Sequence, residues 1–235
     1  MGNSLPVTTT GRSAPLLGAT GLVGNECLRR LLADDAFLRV VVVTRTPFEP
    51  ERNSAKLERH VADFEHLTLH ADRFEVDIIC ALGTTMKQAG SRARFRTVDL
   101  VYPLTAAHLG LERGASHFLV VSAVGADSGS RIFYNRTKGE LEDALRALSY
   151  PCLTLFRPSL LAGSRARPRT AERIAGALSF AFPAKYRPVT AVDVARAIVD
   201  AAIAASPGIK VIEPTETLPA PTLPEPIPAL RTSPM

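Results

Sequence analysis

Leu16-Leu17-Gly18-Ala19-Thr20-Gly21-Leu22-Val23-Gly24-Asn25 is the stretch that decides the fold. Its apolar entry, Ala14 to Leu17, reads as a short strand, and three glycines at GxxGxxG spacing follow at once. Beyond them Val23, Cys27 and Leu31, with Leu28 and Leu32 beside them, recur at helical spacing, while Arg29, Arg30 and Asp34 face outward. A strand that turns on small residues into a helix is built to cradle a pyrophosphate. The first glycine turns tightly, the second lets backbone N–H groups approach the phosphates, and the third lets the helix pack closely. The helix dipole then presents its positive end to the anion. Gly18, Thr20, Gly21, Leu22, Val23 and Gly24 are therefore expected to bind a dinucleotide. No Gly-Lys-Ser/Thr follows, which excludes a P-loop.

Working outward, strands and helices alternate. Val40 to Val43 is a β-branched run too short for a buried helix, Leu57 to Val61 a weaker strand, and Val76 to Leu82 a buried strand that stops at Gly83. Helices are expected over Glu65 to Phe74, Phe95 to Glu112 and Tyr134 to Leu148, with strands at His117 to Val121 and Cys152 to Phe156. Six strands with intervening helices predict an α/β fold, a doubly wound parallel sheet of the Rossmann type over residues 14–160. Pro15 falls where a central strand needs its backbone N–H, an unusual feature for a first strand.

After Arg157 the rhythm breaks. A basic loop from Ser164 to Arg169, helices around Glu172 to Phe180 and Val192 to Ala205, and a short strand at Ile209 to Ile212 are read as a small substrate-side lobe, integrated with the core, over residues 161–212. Eight of the 18 prolines lie between residues 206 and 235, so residues 213–235 are expected to form a Pro-rich disordered tail. Its Pro221-x-x-Pro224 is weaker as a peptide motif than as plain composition. The lobe and the tail are the expected surfaces for any protein partner.

Composition narrows the function. No apolar run approaches the roughly 18 residues that span a bilayer, and no signal-like segment opens the chain, so the expected location is cytoplasmic, with no membrane partner. The net charge of +5 comes from scattered arginines. Arg165, Arg167 and Arg169 lack stacking aromatics, which argues against nucleic acid. Cys27, Cys80 and Cys152 sit apart in apolar stretches as reduced core residues, and His66 and His70 lack a third metal ligand, so no metal site is expected.

Three features carry chemistry. An acid normally ends the second strand, about 20 residues after the glycines, and binds the ribose 2′-hydroxyl of NAD. Arg45 stands there instead; a guanidinium suits the 2′-phosphate of NADP(H), although spacing alone also allows an ordinary surface arginine. Tyr134 and Lys138, four apart, emerge on one face of a helix, where an ammonium favours the phenolate and fits the tyrosine for acid/base work at a carbonyl oxygen. Ser122, at the end of the preceding strand, has a hydroxyl that could polarise the same carbonyl; Ser128 and Ser130 lie in the loop beyond. Ser122, Tyr134 and Lys138 are thus the expected catalytic residues.

In this order the motifs resemble the short-chain dehydrogenases/reductases. Cys80-Ala81-Leu82-Gly83-Thr84-Thr85, Ser122-Ala123-Val124-Gly125-Ala126-Asp127, Tyr134-Asn135-Arg136-Thr137-Lys138-Gly139-Glu140 and Phe156-Arg157-Pro158 are similar to the atypical branch of the Tat-interacting protein and its bacterial relatives. The resemblance covers residues 14–212. It implies that Asp63 and Phe64 lie beside the adenine, that Leu82, Gly83, Thr84 and Thr85 border the ribose and pyrophosphate, and that Arg157 to Leu160 lie near the nicotinamide. Tyr134 and Lys138 would then also touch the cofactor. The implied activity is NADP(H)-dependent oxidoreduction of a carbonyl or alcohol in a small molecule. The alternative is a non-catalytic NADP(H)-binding regulator. Many relatives carry a second serine where this chain has Ala123.

Overall fold

The computed structural model describes residues 11–50, 53–74, 77–159, 161–162 and 188–214. In chain order the strands are β1 (Arg12–Leu17), β2 (Phe37–Thr44), β3 (Leu57–Val61), β4 (Ile78–Cys80), β5 (His117–Val121), β6 (Cys152–Phe156), β7 (Leu161–Ala162), β8 (Val189–Thr190) and β9 (Gly208–Ile212). The helices are α1 (Leu22–Ala33), α2 (Met86–Ala89), α3 (Arg92–Arg96), α4 (Tyr102–Glu112), α5 (Phe133–Ala147) and α6 (Ala191–Ala204). Seven strands form one parallel sheet in the order β3-β2-β1-β4-β5-β6-β9, and β7 pairs with β8 apart from it. The order reverses between β1 and β4, so a crevice opens beyond their C-terminal ends, where doubly wound folds bind ligands.

The period-2 alternation of the strands sorts the core into two faces. Val41 and Val43 point with Leu17 and Phe118 toward the helices α4 and α5. Val40 and Val42 point with Leu16 to the other face, against Cys27 and Leu31 of α1 and Ile198 of α6. Both faces being covered explains why these strands read as unbroken apolar runs. All three cysteines are buried free thiols, and burial pushes Cys27 and Cys80 up to about 12.

Residues 191–212 are built into the main core: β9 pairs with β6 along its whole length, and α6 lays Val194, Ala195 and Ile198 into the α1 side of the core. Several expectations are corrected. β1 begins at Arg12 rather than Ala14. It accommodates Pro15 because β4 joins β1 only at Leu16 and Leu17, so the ring lies upstream of that ladder. The helix expected over Glu65 to Phe74 is a run of 3-10 turns, Phe64–Arg73, broken at His66 and His70. Asp63 accepts the Glu65 N–H and pairs with His66, an alternative to regular helix for the local backbone. The expected helix at Glu172 to Phe180, the basic loop Ser164 to Arg169 and the tail beyond Pro214 lie outside the described residues.

The long helix expected from Phe95 to Glu112 is interrupted. Between α3 and α4, Thr97–Val101 forms a π turn, with the Tyr102 N–H bonded to Thr97 O. Pro103 accounts for it. An imino nitrogen has no proton for the carbonyl four residues back, that of Asp99, and its ring crowds that carbonyl; a widened turn relieves both.

His117 is fully buried at the start of β5, its Nε2 2.9 Å from Thr154 Oγ1. Burial, reinforced by the Arg12 and Lys210 charges, pushes it down to about 4 from 6.5. As pH falls from about 6.5 to about 4 the unfolded chain takes up a proton that the folded chain refuses. Stability therefore falls over that window, by up to about 3 kcal/mol, and this group has no effect above it. Urea unfolding at pH 4.5 and 7.5 checks this: His117→Gln should lose less stability on acidification than the parent chain, and equal losses would contradict it.

Candidate active site

At the tip of β1 the backbone is packed too tightly for side chains. Gly18 has φ of 83°, and a Cβ there would lie 2.4 Å from Ala81 O, at the end of β4. A Cβ on Gly24 would lie 2.0 Å from Gly18 O, so the first turn of α1 rests directly on the turn. Gly21 N–H donates to Gly18 O at 2.9 Å and closes the loop. Gly21 caps α1 with no side-chain hydrogen bond, and no acid lies in the first turn. The end of α1 is therefore positive and has no anion of its own. A cradle that any Cβ would fill fits the pyrophosphate of a dinucleotide. Thr20 and Gly21 are exposed, Leu22 is half-buried, and Val23 and Gly24 are buried.

The other predicted cofactor residues differ in exposure. Arg45 is exposed one residue beyond β2, and no acid occupies Thr44 to Thr46. Phe64 is buried edge-on against Tyr102, with ring centroids 5.4 Å apart, while Asp63 is exposed. The His66 ring 2.9 Å away, then the Glu65 N–H, hold the Asp63 carboxyl below its ordinary range. His66 Nδ1 is thereby engaged with the Asp63 carboxylate, and no group of metal-ligating residues occurs among the described residues. Leu82 to Thr85 follow β4; Thr85 caps α2 reciprocally with Gln88, and Thr84 donates its N–H to Asp99 Oδ2 at 2.8 Å.

Tyr134 lies in the first turn of α5, 36% exposed, its ring 5.5 Å from Phe95. Lys138, one turn on, is buried. Its ammonium meets Asp99 Oδ1 at 2.8 Å and the Val121 carbonyl at 3.4 Å. Burial alone would push this lysine down, but the Asp99 carboxylate, then Tyr134 and Cys80, outweigh it and hold it above the ordinary lysine range. Lys138 is thus a fixed cation beneath an accessible phenol.

Ser122 has a partner within the protein. It is buried, and its hydroxyl donates to Glu142 Oε1 at 2.6 Å. Glu142, buried one turn beyond Lys138, is also gripped by Arg157, Nε at 3.0 Å and Nη2 at 2.6 Å, and Arg157 reaches Glu213 at 3.3 Å. The strand-end hydroxyl belongs to a network joining β5, α5 and the chain after β6 and β9. The next position, Ala123, offers no hydroxyl. Arg157 and Pro158 follow the end of β6, while Leu160 lies outside the described residues.

Asp99 and Glu142 were missed in the sequence, and each had a signal. Asp99 stands on the stripe of Phe95 and Tyr102, four residues before a proline, and Glu142 stands between Leu141 and Leu145. A lone acid on the buried side of an amphipathic helix requires a partner.

With this geometry in view, the relatives are informative. The chain is 34% identical over 205 residues to the protein HTATIP2 of Rattus norvegicus, covering 84% of this chain and 83% of that protein. It belongs to the HTATIP2 and FMP52 family of atypical short-chain dehydrogenases/reductases. The mitochondrial protein FMP52 of Emericella nidulans is 32% identical over 170 residues, 68% of this chain and 71% of that one. No protein-family model matches the chain. Among solved structures, an oxidoreductase of the short-chain dehydrogenase/reductase family from Burkholderia thailandensis superposes with a TM-score of 0.64 at 20% identity, covering 88% of this chain and 93% of that one. MoeE5, solved with UDP-glucose and NAD, gives 0.65 at 15% identity over 88% of this chain and 79% of its own. At those identities the likeness is one of fold. The expected cytoplasmic location is overturned as a default: FMP52 relatives in several fungal species are named mitochondrial.

Two substitutions test the site's construction. Gly24→Ala should cost about 1–3 kcal/mol of stability through its clash with Gly18 and weaken dinucleotide binding at least about tenfold; unchanged thermal unfolding and binding would refute the cradle. Ser122→Ala should lower stability by about 1–2 kcal/mol yet leave turnover within about threefold of the parent, whereas a loss of about 100-fold would restore the serine to the chemistry.

Proposed function

We propose that this chain is an NADP(H)-dependent oxidoreductase acting on a carbonyl or alcohol group of a small molecule. The observation that carries the reading is the buried Lys138 ammonium, one helical turn from the exposed Tyr134 and linked through Asp99 to the loop after β4. A nicotinamide dinucleotide, when bound, supplies or accepts hydride. Gly18 to Gly24 would hold its pyrophosphate through backbone N–H groups, with Leu82 to Thr84 along the ribose side and Asp63 and Phe64 toward the adenine. Arg45, with no acid beside it at the end of β2, suits a 2′-phosphate better than a free 2′-hydroxyl.

The chain's own contribution is proton transfer and positioning. Tyr134 donates its phenolic proton to the carbonyl oxygen as an alcohol forms, and takes the hydroxyl proton in the reverse direction. The adjacent ammonium of Lys138 stabilises the phenolate left behind and would hold the nicotinamide ribose. Ser122, committed to Glu142, takes no direct part.

Tyr134→Phe should cut turnover about 10²–10⁴-fold and leave NADPH binding intact. Turnover equal to that of the parent would sink the acid/base assignment, and binding without turnover in the parent, across a carbonyl screen, would favour a cofactor-binding regulator. Arg45→Ser should reduce the preference for NADPH over NADH by about tenfold; an unchanged ratio would remove Arg45 from the cofactor site.

A further inference from the structure

Arg92 of α3 and Arg136 of α5 converge on one aromatic ring: their guanidinium carbons lie 5.1 and 5.9 Å from the centroid of Phe133. The Phe133 ring stands 5.7 Å from that of Phe95, which in turn lies 5.5 Å from the ring of Tyr134, so the two cations belong to the aromatic cluster that holds the phenol. A ring face attracts a guanidinium without neutralising it. The acids nearby are committed elsewhere. On α3, Arg94 pairs with Glu65 at 3.5 Å and Arg96 with Glu140, Asp99 holds Lys138, and Glu142 holds Arg157. In the loop before α5 the Asp127 carboxyl accepts the Gly129 N–H at 2.9 Å. The first turn of α5 contains no acid, and Asp143 stands two turns beyond Arg136, about 10 Å along the axis. Arg92 is exposed, as is Arg131 two residues before Phe133, and neither meets a carboxylate among the described residues. Arg136, half-buried, donates to a neutral acceptor, the Ser130 carbonyl, at 3.0 Å. Like charges are thus brought together beside Tyr134 with no counter-charge from the protein, a repulsion that an anion between them relieves.

Resting on the reading of Tyr134 above, we propose that Arg92 and Arg136 form an anchoring subsite for an anionic group of the substrate, a carboxylate or a phosphate. The substrate class is then a carbonyl or alcohol compound that carries a negative charge at its other end. The donors are oriented before anything binds, Arg92 by the Phe133 face and Arg136 by that ring and the Ser130 carbonyl, which lowers the entropy lost on binding. Phe133 is the chain neighbour of Tyr134, a spacing that suits a small molecule reaching from the phenol to the arginines. This anchor is distinct from Arg45, which follows β2, three strands across the sheet from β5 and the helix after it. Tyr134 and Lys138 act on the carbonyl, and the arginines select and orient the molecule that bears it.

The test uses the full chain saturated with NADP+, or the free chain should no dinucleotide bind, and follows the arginine Nε–H signals by ¹⁵N NMR. Arg92 and Arg136 are assigned by the signal lost in Arg92→Lys and in Arg136→Lys. Benzoate and phenyl phosphate are titrated, with benzamide as the neutral control. The Arg92 and Arg136 signals should shift saturably with at least one anion, at an affinity at least about tenfold above that for benzamide, while those of the paired Arg94 and Arg96 stay in place. The tighter of the two anions tells carboxylate from phosphate. Arg92→Gln, at an exposed position, should fold as the parent does and weaken that binding about tenfold. No shift with either anion, or shifts at Arg45 alone, would overturn the proposal whether or not any carbonyl compound is turned over. In turnover, 4-carboxybenzaldehyde should exceed its neutral methyl ester in kcat/KM by about tenfold, the difference lying in KM and vanishing in Arg92→Gln. Equal use of acid and ester would contradict the anchor. Saturable shifts at Arg92 and Arg136 with neither aldehyde reduced would leave the anion subsite standing and count against the carbonyl chemistry alone.

Discussion

The contact on which the site depends is the approach of backbone to backbone at the tip of β1. There Gly18 rests against Ala81 and Leu82, and Gly24 rests against Gly18. Three elements meet within a space that would not admit a methyl group: the end of β1, the end of β4 and the first turn of α1. Because β1 and β4 are neighbours across the point where strand order reverses, the same contact sets the width of the crevice above them. It also directs the uncapped end of α1 into that crevice, so the packing of the sheet and the electrostatics of the phosphate site have a single cause.

From this corner the site extends across the sheet through hydrogen bonds rather than apolar packing. The loop after β4 passes from the glycine turn to Thr84, Thr84 to Asp99, and Asp99 to Lys138. One turn further along α5, Glu142 starts a second network through Ser122, Arg157 and Glu213. The two acids divide the labour. Asp99 balances the buried Lys138 ammonium, while Glu142 fastens β5, α5 and the chain after β6 together.

Much of this was legible in the sequence, and the limits have physical reasons. The Val40 to Val43 run, the stripe of Val23, Cys27 and Leu31, and the glycine spacing are local signals, and each gives its element and its place. Tyr134 and Lys138 were legible because their spacing is helical. The partner of Ser122 was not legible, because position at a strand end does not reveal where a hydroxyl's proton goes, and Glu142 lies 20 residues on. The pairing of β9 with β6 was likewise non-local, so the partner of residues 208–212 could not be read from their own stretch of sequence. Asp99 could have been suspected from Pro103, but its partner Lys138 is set by tertiary packing.

The most direct test of the account is a calorimetric titration of the unmodified chain with NADPH and, separately, NADH. The account predicts saturable binding of one dinucleotide per chain, tighter for NADPH, with a rise in the thermal unfolding midpoint that grows with ligand concentration. Absence of binding by either dinucleotide at millimolar concentration would contradict it.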